Sequence, residues 1–436
     1  MQIEATEAYP DSIGELSGVG SLDTLVLPRH RWYYIKESFS PSLVNHAIND
    51  SKCQENDIVM DVFCGSGTVP LAATVEGYHA IGLEVNPFLA FVSRAKLAQC
   101  NPATLDRYVG KAITGIMQEA SSALETFSTF SESPGADQWL FNRDVLRAFE
   151  GGWRATTTMR KPARDLLRLC LIAAAIDVCN AVKDGKCLRY RSNWKQQGFT
   201  KMDFLLGFES HIANIRQDLR ECPLLAPKAE ILTYDSRKIT DELLGGRKFK
   251  LCVMSPPYLN SFDYTDIYRP ELFLGKFVNS NRALQALRLN TMRSHVQVSW
   301  PDPEYAHLGQ LLATSCAEIR DHADDLWNNR IPAMIQAYFE DMKKVLVNLK
   351  QIAQRDASVW IVVSTSAYAG VEIPVDLIIA DIGLQAGWLL REIRVMHYLR
   401  RMPGQQWDKL CEKKNDMPRL RESIIILDSL SRTKAK

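Results

Sequence analysis

The stretch from Asp57 to Val85 constrains the fold most. A short apolar strand (DIVMDVF), a turn of small residues (CGSGT), a helix-forming run (VPLAATVEG) and a second apolar strand (YHAIGLEV) follow one another directly. Two strands joined through a helix make a β-α-β unit, which needs a parallel pair and a right-handed crossover. Further strand patterns stand at AEILTYD, KLCVMSPPY, SVWIVVST, LREIRVMHYL and ESIIILD. Seven strands separated by helices predict a doubly wound α/β fold: a Rossmann-like, seven-stranded, mostly parallel sheet.

Two stretches interrupt this pattern. Residues 101–228 read as a large helical insertion with no strand, and 276–329 as a second, polar insertion. The chain is thereby divided into an N-terminal extension (1–36), three core parts (37–100, 229–275 and 330–436) and the two insertions. Lys and Arg number 52 against 51 Asp and Glu, so any surface for a polyanion has to be a local patch. No apolar run approaches the ~20 residues of a membrane span. The opening MQIEATEAYPDSIGELSG lacks the basic-then-apolar order of a signal peptide, which predicts a cytoplasmic protein with no membrane partner. Ten cysteines without a C-x-x-C pair and eight histidines at no ligand spacing predict neither a disulfide framework nor a metal site.

The glycine turn has a readable chemistry. In Asp61-Val62-Phe63-Cys64-Gly65-Ser66-Gly67-Thr68 a strand ends in an acid, and two glycines let backbone approach a ligand. The helix that follows presents free N–H groups. The next strand ends at Glu84, an acid placed to accept hydrogen bonds from a ribose. Nicotinamide and flavin sites share this logic, and an ordinary strand-to-helix turn has the same outline.

A second motif, Ser255-Pro256-Pro257-Tyr258, stands at the end of KLCVM. Two prolines remove two backbone donors and fix an extended path at the carboxyl edge of the sheet, where open α/β sheets bind ligands. A serine oxygen and a proline carbonyl can accept the two hydrogens of an exocyclic amine, with Tyr258 as a stacking face. A rigid strand-ending loop is the plainer alternative.

Taken together, D-x-F-C-G-S-G-T, IGLEVNP and S-P-P-Y resemble the S-adenosylmethionine-dependent DNA amino-methyltransferases of the N4-cytosine and N6-adenine type. The resemblance implies S-adenosylmethionine as cofactor and a DNA base flipped into the pocket. It also implies a role in DNA modification, beside a cognate restriction endonuclease or alone. ESFSPSLVNHAI resembles the family's helix-leading motif and adds Phe39, Ser40 and Pro41 as cofactor contacts, though an N-capped helix start explains them equally. Asn86 and Asp235 join the cofactor set, Asp235 as partner of the adenine amine or as a turn acid. The continuation FDYTDIYRPELFLG resembles the next motif, which implies Asp263, Tyr264 and Asp266 near the pocket, though helix-start capping and packing explain these three equally. Serine as first residue of the tetrapeptide favours cytosine N4 over adenine N6. RNA base amines, a small-molecule methyl acceptor and a non-catalytic nucleic-acid-binding protein are the alternatives.

Basic residues interleaved with aromatics in KDGKCLRYRSNWKQQGFTK make Arg189, Arg191, Trp194 and Lys195 candidate nucleic-acid contacts, with a surface loop whose aromatics tuck into the core as the plainer alternative. Arg400, Arg401 and Arg419 in the late basic loop are candidates for phosphate, and Arg293, His295 and Gln297 mark the second insertion as a further recognition element.

Overall fold

The computed structural model describes residues 6–7, 21–133, 136–184, 187–224, 229–304, 308–399 and 420–430. Twelve strands occur among them: β1 (Thr6–Glu7), β2 (Ile58–Asp61), β3 (His79–Leu83), β4 (Ala181–Asp184), β5 (Cys187–Tyr190), β6 (Ala229–Leu232), β7 (Phe249–Met254), β8 (Ala353–Ser364), β9 (Ser366–Tyr368), β10 (Val371–Ile373), β11 (Leu389–Tyr398) and β12 (Arg421–Asp428). The main sheet runs β1-β11-β12-β8-β7-β2-β3-β6. β12 is antiparallel to both its neighbours, and every other pairing in the sheet is parallel. The seven strands expected from the sequence are all present, and the two-residue β1 adds an eighth beside β11.

β7 shows why these runs fold as they do. All six of its residues are buried, as a central parallel strand covered on both faces requires. Leu251 and Val253 point to the face covered by the helices Pro41–Asp50 and Thr68–Val75, packing with Leu43, Val69 and Trp360. Cys252 and Met254 point the other way, toward Ile335, Phe339 and Ile379 of the helices Ile331–Gln351 and Val375–Gln385.

The insertion expected to be helical contains the helices Pro102–Gln118, Arg143–Ala155, Ala163–Asp177 and Lys201–Glu221. It also carries an antiparallel hairpin, β4 with β5, where no strand was expected. Each strand has only four residues, all but Ala181 half-buried or exposed, too short and polar for an apolar run to betray it. The Asp184-Gly185 pair was the available turn signal. The insertion's core is continuous with Trp32, Tyr33, Phe88, Tyr268 and Phe273 from outside it, so this region shares one core with a side of the sheet domain. No described helix is long and apolar enough to cross a membrane.

Candidate active site

β2 and β7 lie side by side and parallel, Val59 opposite Leu251 and Met60 opposite Cys252. The glycine turn after β2 and the Ser255–Tyr258 segment after β7 therefore leave the same edge of the sheet. Between them opens a cavity of about 800 Å³, bordered by Asp61, Phe63, Cys64, Gly65, Ser66, Thr68, Glu84 and Asn86 on the glycine-turn side and by Ser255, Pro257 and Tyr258 on the other. Phe39 and Asp235 also border it.

On the glycine-turn side, the Glu84 carboxylate accepts from Gly65 N at 2.8 Å and from Asn86 N at 2.8 Å, clamping the turn to the end of β3. Asp61 accepts from Phe63 N at 2.9 Å. Burial pushes the Asp61 carboxyl up to about 8 and the Glu84 carboxyl up to about 7, against the pull of those backbone N–H groups. Two buried acids of this kind favour a cationic or hydroxyl-rich ligand. Asn86 uses its Oδ1 to cap the helix Pro87–Lys96, accepting from Phe88 N at 3.0 Å, so its amide orientation is fixed. Its buried Nδ2 has no partner and belongs to a residue on the cavity wall, a donor in want of an acceptor. Ribose hydroxyls for Glu84 and an acceptor for Asn86 are what a nucleoside offers, so these residues fit S-adenosylmethionine.

Three expected contacts have other roles. Ser40 caps the helix Pro41–Asp50 and bonds Asp23 Oδ2 at 2.9 Å without bordering the cavity. Gly67, at φ +85°, likewise does not border it; a Cβ there would collide with Ser93, so its smallness serves helix packing. Asp235 is held by its own neighbour, Arg237, through Oδ1 at 2.9 Å and Oδ2 at 3.0 Å. An adenine amine would share that carboxylate.

On the opposite side, Pro256 is buried while Ser255, Pro257 and Tyr258 face the cavity. The segment is anchored from below, because Leu259 O accepts from Tyr368 Oη at 3.2 Å and from Ser366 Oγ, both in β9. The Tyr258 hydroxyl donates to Glu422 at the start of β12. Burial, and then the Glu422 carboxylate, raise the Tyr258 phenol well above its ordinary range, so it stays a neutral donor. Glu422 fixes the tilt of that ring. Sequence reasoning missed it because nothing in RESIIILD distinguishes it from a strand-edge acid.

Tyr264 borders the cavity, whereas Asp263 caps the short helix Tyr264–Ile267 and pairs with Arg288 at 2.6 Å. Asp266 is half exposed, 3.9 Å from Arg288. In the second insertion, Asn290, Thr291, Met292, Ser294 and His295 form part of the wall. Arg293 is buried against Asp341 at 2.7 Å and Glu340 at 3.1 Å, and so is tied into the fold.

In the basic hairpin region, Arg189, Arg191, Trp194 and Lys195 do not border the cavity. Arg189 pairs with Asp184 at 2.9 Å on the surface. Arg191 donates to Cys179 O at 2.9 Å and Asp177 O at 3.1 Å, closing the end of a helix. Trp194 is buried against Trp139, ring centroids 4.7 Å apart, in keeping with the alternative of aromatics tucked into the core and not with an exposed nucleic-acid contact. Lys195 remains exposed. Arg400, Arg401 and Arg419 lie outside the described residues. Among the described residues no group of three or more His, Cys, Asp or Glu is arranged to hold a metal ion.

Comparison with known proteins adds family relationships. Residues 24–92 match a family model described as DNA methylase. The Type II methyltransferase M.BsoBI of Geobacillus stearothermophilus is 25% identical over 425 residues, 87% of this chain and 82% of that one. The Type II methyltransferase M.AvaI of Nostoc sp. is 23% identical over 404 residues, 85% and 81% of the two chains. An uncharacterized RNA methyltransferase of Staphylococcus aureus is 28% identical over 119 residues, 26% of each chain. Among solved structures, the rRNA methyltransferase aviRa of Streptomyces viridochromogenes aligns with 93% of this chain and 92% of its own at 10% identity, with a TM-score of 0.32.

Proposed function

We propose that this chain, which belongs to the S-adenosylmethionine-dependent DNA amino-methyltransferase family, methylates the N4 amine of cytosine at a specific DNA sequence. The observation that carries the reading is the shared edge of β2 and β7. It sets the nucleoside-fitting wall of Glu84 and Asn86 and the amine-accepting segment of Ser255 around one cavity.

The conjugated amine of a base is a poor nucleophile. Acceptors at Ser255 and the neighbouring proline carbonyl favour a more tetrahedral nitrogen with its lone pair turned toward the methyl donor. S-adenosylmethionine supplies an electrophilic methyl group when bound. The chain's own work is orientation: Tyr258, steadied by Glu422, supports the base, and the amine's proton is shed after it becomes acidic on alkylation. A duplex base would be flipped out to reach this depth. Serine at position 255 supports cytosine as target, and the similarity to two Type II methyltransferases over most of the chain supports DNA and pairing with a restriction endonuclease.

Expression in a methylation-deficient host, followed by modification-sensitive sequencing of its DNA, tests the proposal. N4-methylcytosine at one recurrent sequence is expected. N6-methyladenine would replace cytosine as the target, and methylated amines confined to RNA would overturn the DNA reading. Ser255→Ala should cut methyl transfer by about 100-fold, the scale of losing an acceptor used in the transition state, while leaving cofactor binding intact. Full activity in that variant would disprove the pocket.

A further inference from the structure

His295 borders the cavity yet is only 2% exposed. Its Nδ1 accepts from Gln297 N at 3.4 Å, so the neutral ring carries its proton on Nε2. That Nε2 has no hydrogen-bond partner. The neighbouring carboxylate oxygen, Asp263 Oδ1, stands 3.9 Å away and is already taken by Thr265 N at 2.9 Å and Thr265 Oγ1 at 2.7 Å. Trp300 braces the histidine, donating to His295 O at 2.7 Å with the rings 5.1 Å apart. Burial lowers the histidine's affinity for a second proton, outweighing Asp263 with help from Arg288.

A buried donor without an acceptor is unfavourable, and an acceptor on a ligand would relieve it. We infer that His295 reads the target base, its Nε2–H donating to the ring nitrogen that adjoins the amine received at Ser255. The inference rests on the proposed base methylation and deepens it. Asp263 lies in the loop that continues from Tyr258 and also contributes Phe262 and Tyr264 to the wall, which puts His295 on the base side of the cavity. Cytosine and adenine both carry an acceptor nitrogen beside the exocyclic amine. Guanine's amine is flanked by an N–H on one side and an acceptor nitrogen on the other, so the histidine opposes only the orientation that turns the N–H toward it.

The test compares wild-type protein, His295→Phe and His295→Gln on synthetic duplexes of the methylated sequence, with the target base normal or with CH in place of that ring nitrogen. Wild type should lose about 10- to 100-fold in kcat/KM on the substituted base, although weaker pairing would ease flipping. His295→Phe should be equally slow on both duplexes, with unchanged calorimetric affinity for S-adenosylmethionine. His295→Gln, which keeps an N–H near Nε2, should recover part of the discrimination. Equal wild-type rates on the two duplexes overturn the inference whether or not the Phe variant folds, and so does weakened cofactor binding in a folded Phe variant. Failure of wild type to methylate the normal duplex would instead count against the underlying reading.

Discussion

Asp61 shows how a site residue trades stability for binding. Its carboxyl sits up near 8 when folded, against an ordinary value of 3.8, and Glu84 sits near 7 against 4.5. Between those limits the folded chain holds protons that the unfolded chain has released. The stability of the cofactor-free protein therefore falls as pH rises from about 4 to about 8 and levels off above. Asp61→Asn preserves an oxygen for Phe63 N and removes the buried ionisation. The variant should melt roughly 2–5 °C above wild type at pH 8.5 without ligand, and lose that advantage near pH 4. It should also bind S-adenosylmethionine more weakly, since a carboxylate on the cavity wall is lost. Thermal melts at the two pH values and calorimetry check both halves; equal melting at pH 8.5 would show that the Asp61 carboxyl is not penalised by burial.

At the scale of elements, the cavity wall formed by residues 34–39 depends on a distant helix. Asp218, fully buried in Lys201–Glu221, accepts from Arg29 N at 2.7 Å and Trp32 Nε1 at 2.8 Å and pairs with Arg31 at 2.5 Å. Asp218→Ala strands these donors and should cost about 3 kcal/mol in denaturant unfolding, with weaker cofactor binding as the wall loosens. Less than 1 kcal/mol would mean that the N-terminal segment is held otherwise. Nothing in FESHIANIRQDLRE sets Asp218 apart from a surface helix acid, because its partners stand more than 180 residues away. The same limit hid Glu422 and the anchoring of Leu259 by β9. The seven sheet strands were legible because a buried strand writes its own apolar run, and the glycine turn and S-P-P-Y because each acts within a few residues. The β4–β5 hairpin was not, since short, polar strands read alike whether they face solvent or a core, and for Trp194 the sequence left a core position and a nucleic-acid contact both open.

Across the whole molecule, the large insertion and the cofactor side of the sheet share one apolar core. Phe88 and Leu89, on the helix capped by Asn86, pack in the same cluster as Phe149, Leu167 and Phe208 of the insertion, with Tyr33 and Tyr268 between. Tyr268 joins the sides directly: it borders the cavity, donates to Glu37 at 3.0 Å, and has Lys183 of β4 4.0 Å above its ring. Lys183 also pairs with the fully buried Glu271, which accepts from Tyr33 Oη at 2.6 Å. A ligand gripped by Glu84 and Asn86 thus stiffens elements on which the insertion rests. S-adenosylmethionine at a hundredfold excess over its Kd should raise stability by about 2.7 kcal/mol. Because the core is shared, the gain should appear as one calorimetric transition moving upward as a unit, and hydrogen exchange should slow in the helices Arg143–Ala155 and Ala163–Asp177 as well as at the glycine turn. Two separate transitions, with only the lower or the upper responding to ligand, would mean that the insertion folds as an independent domain and that cofactor binding leaves it untouched.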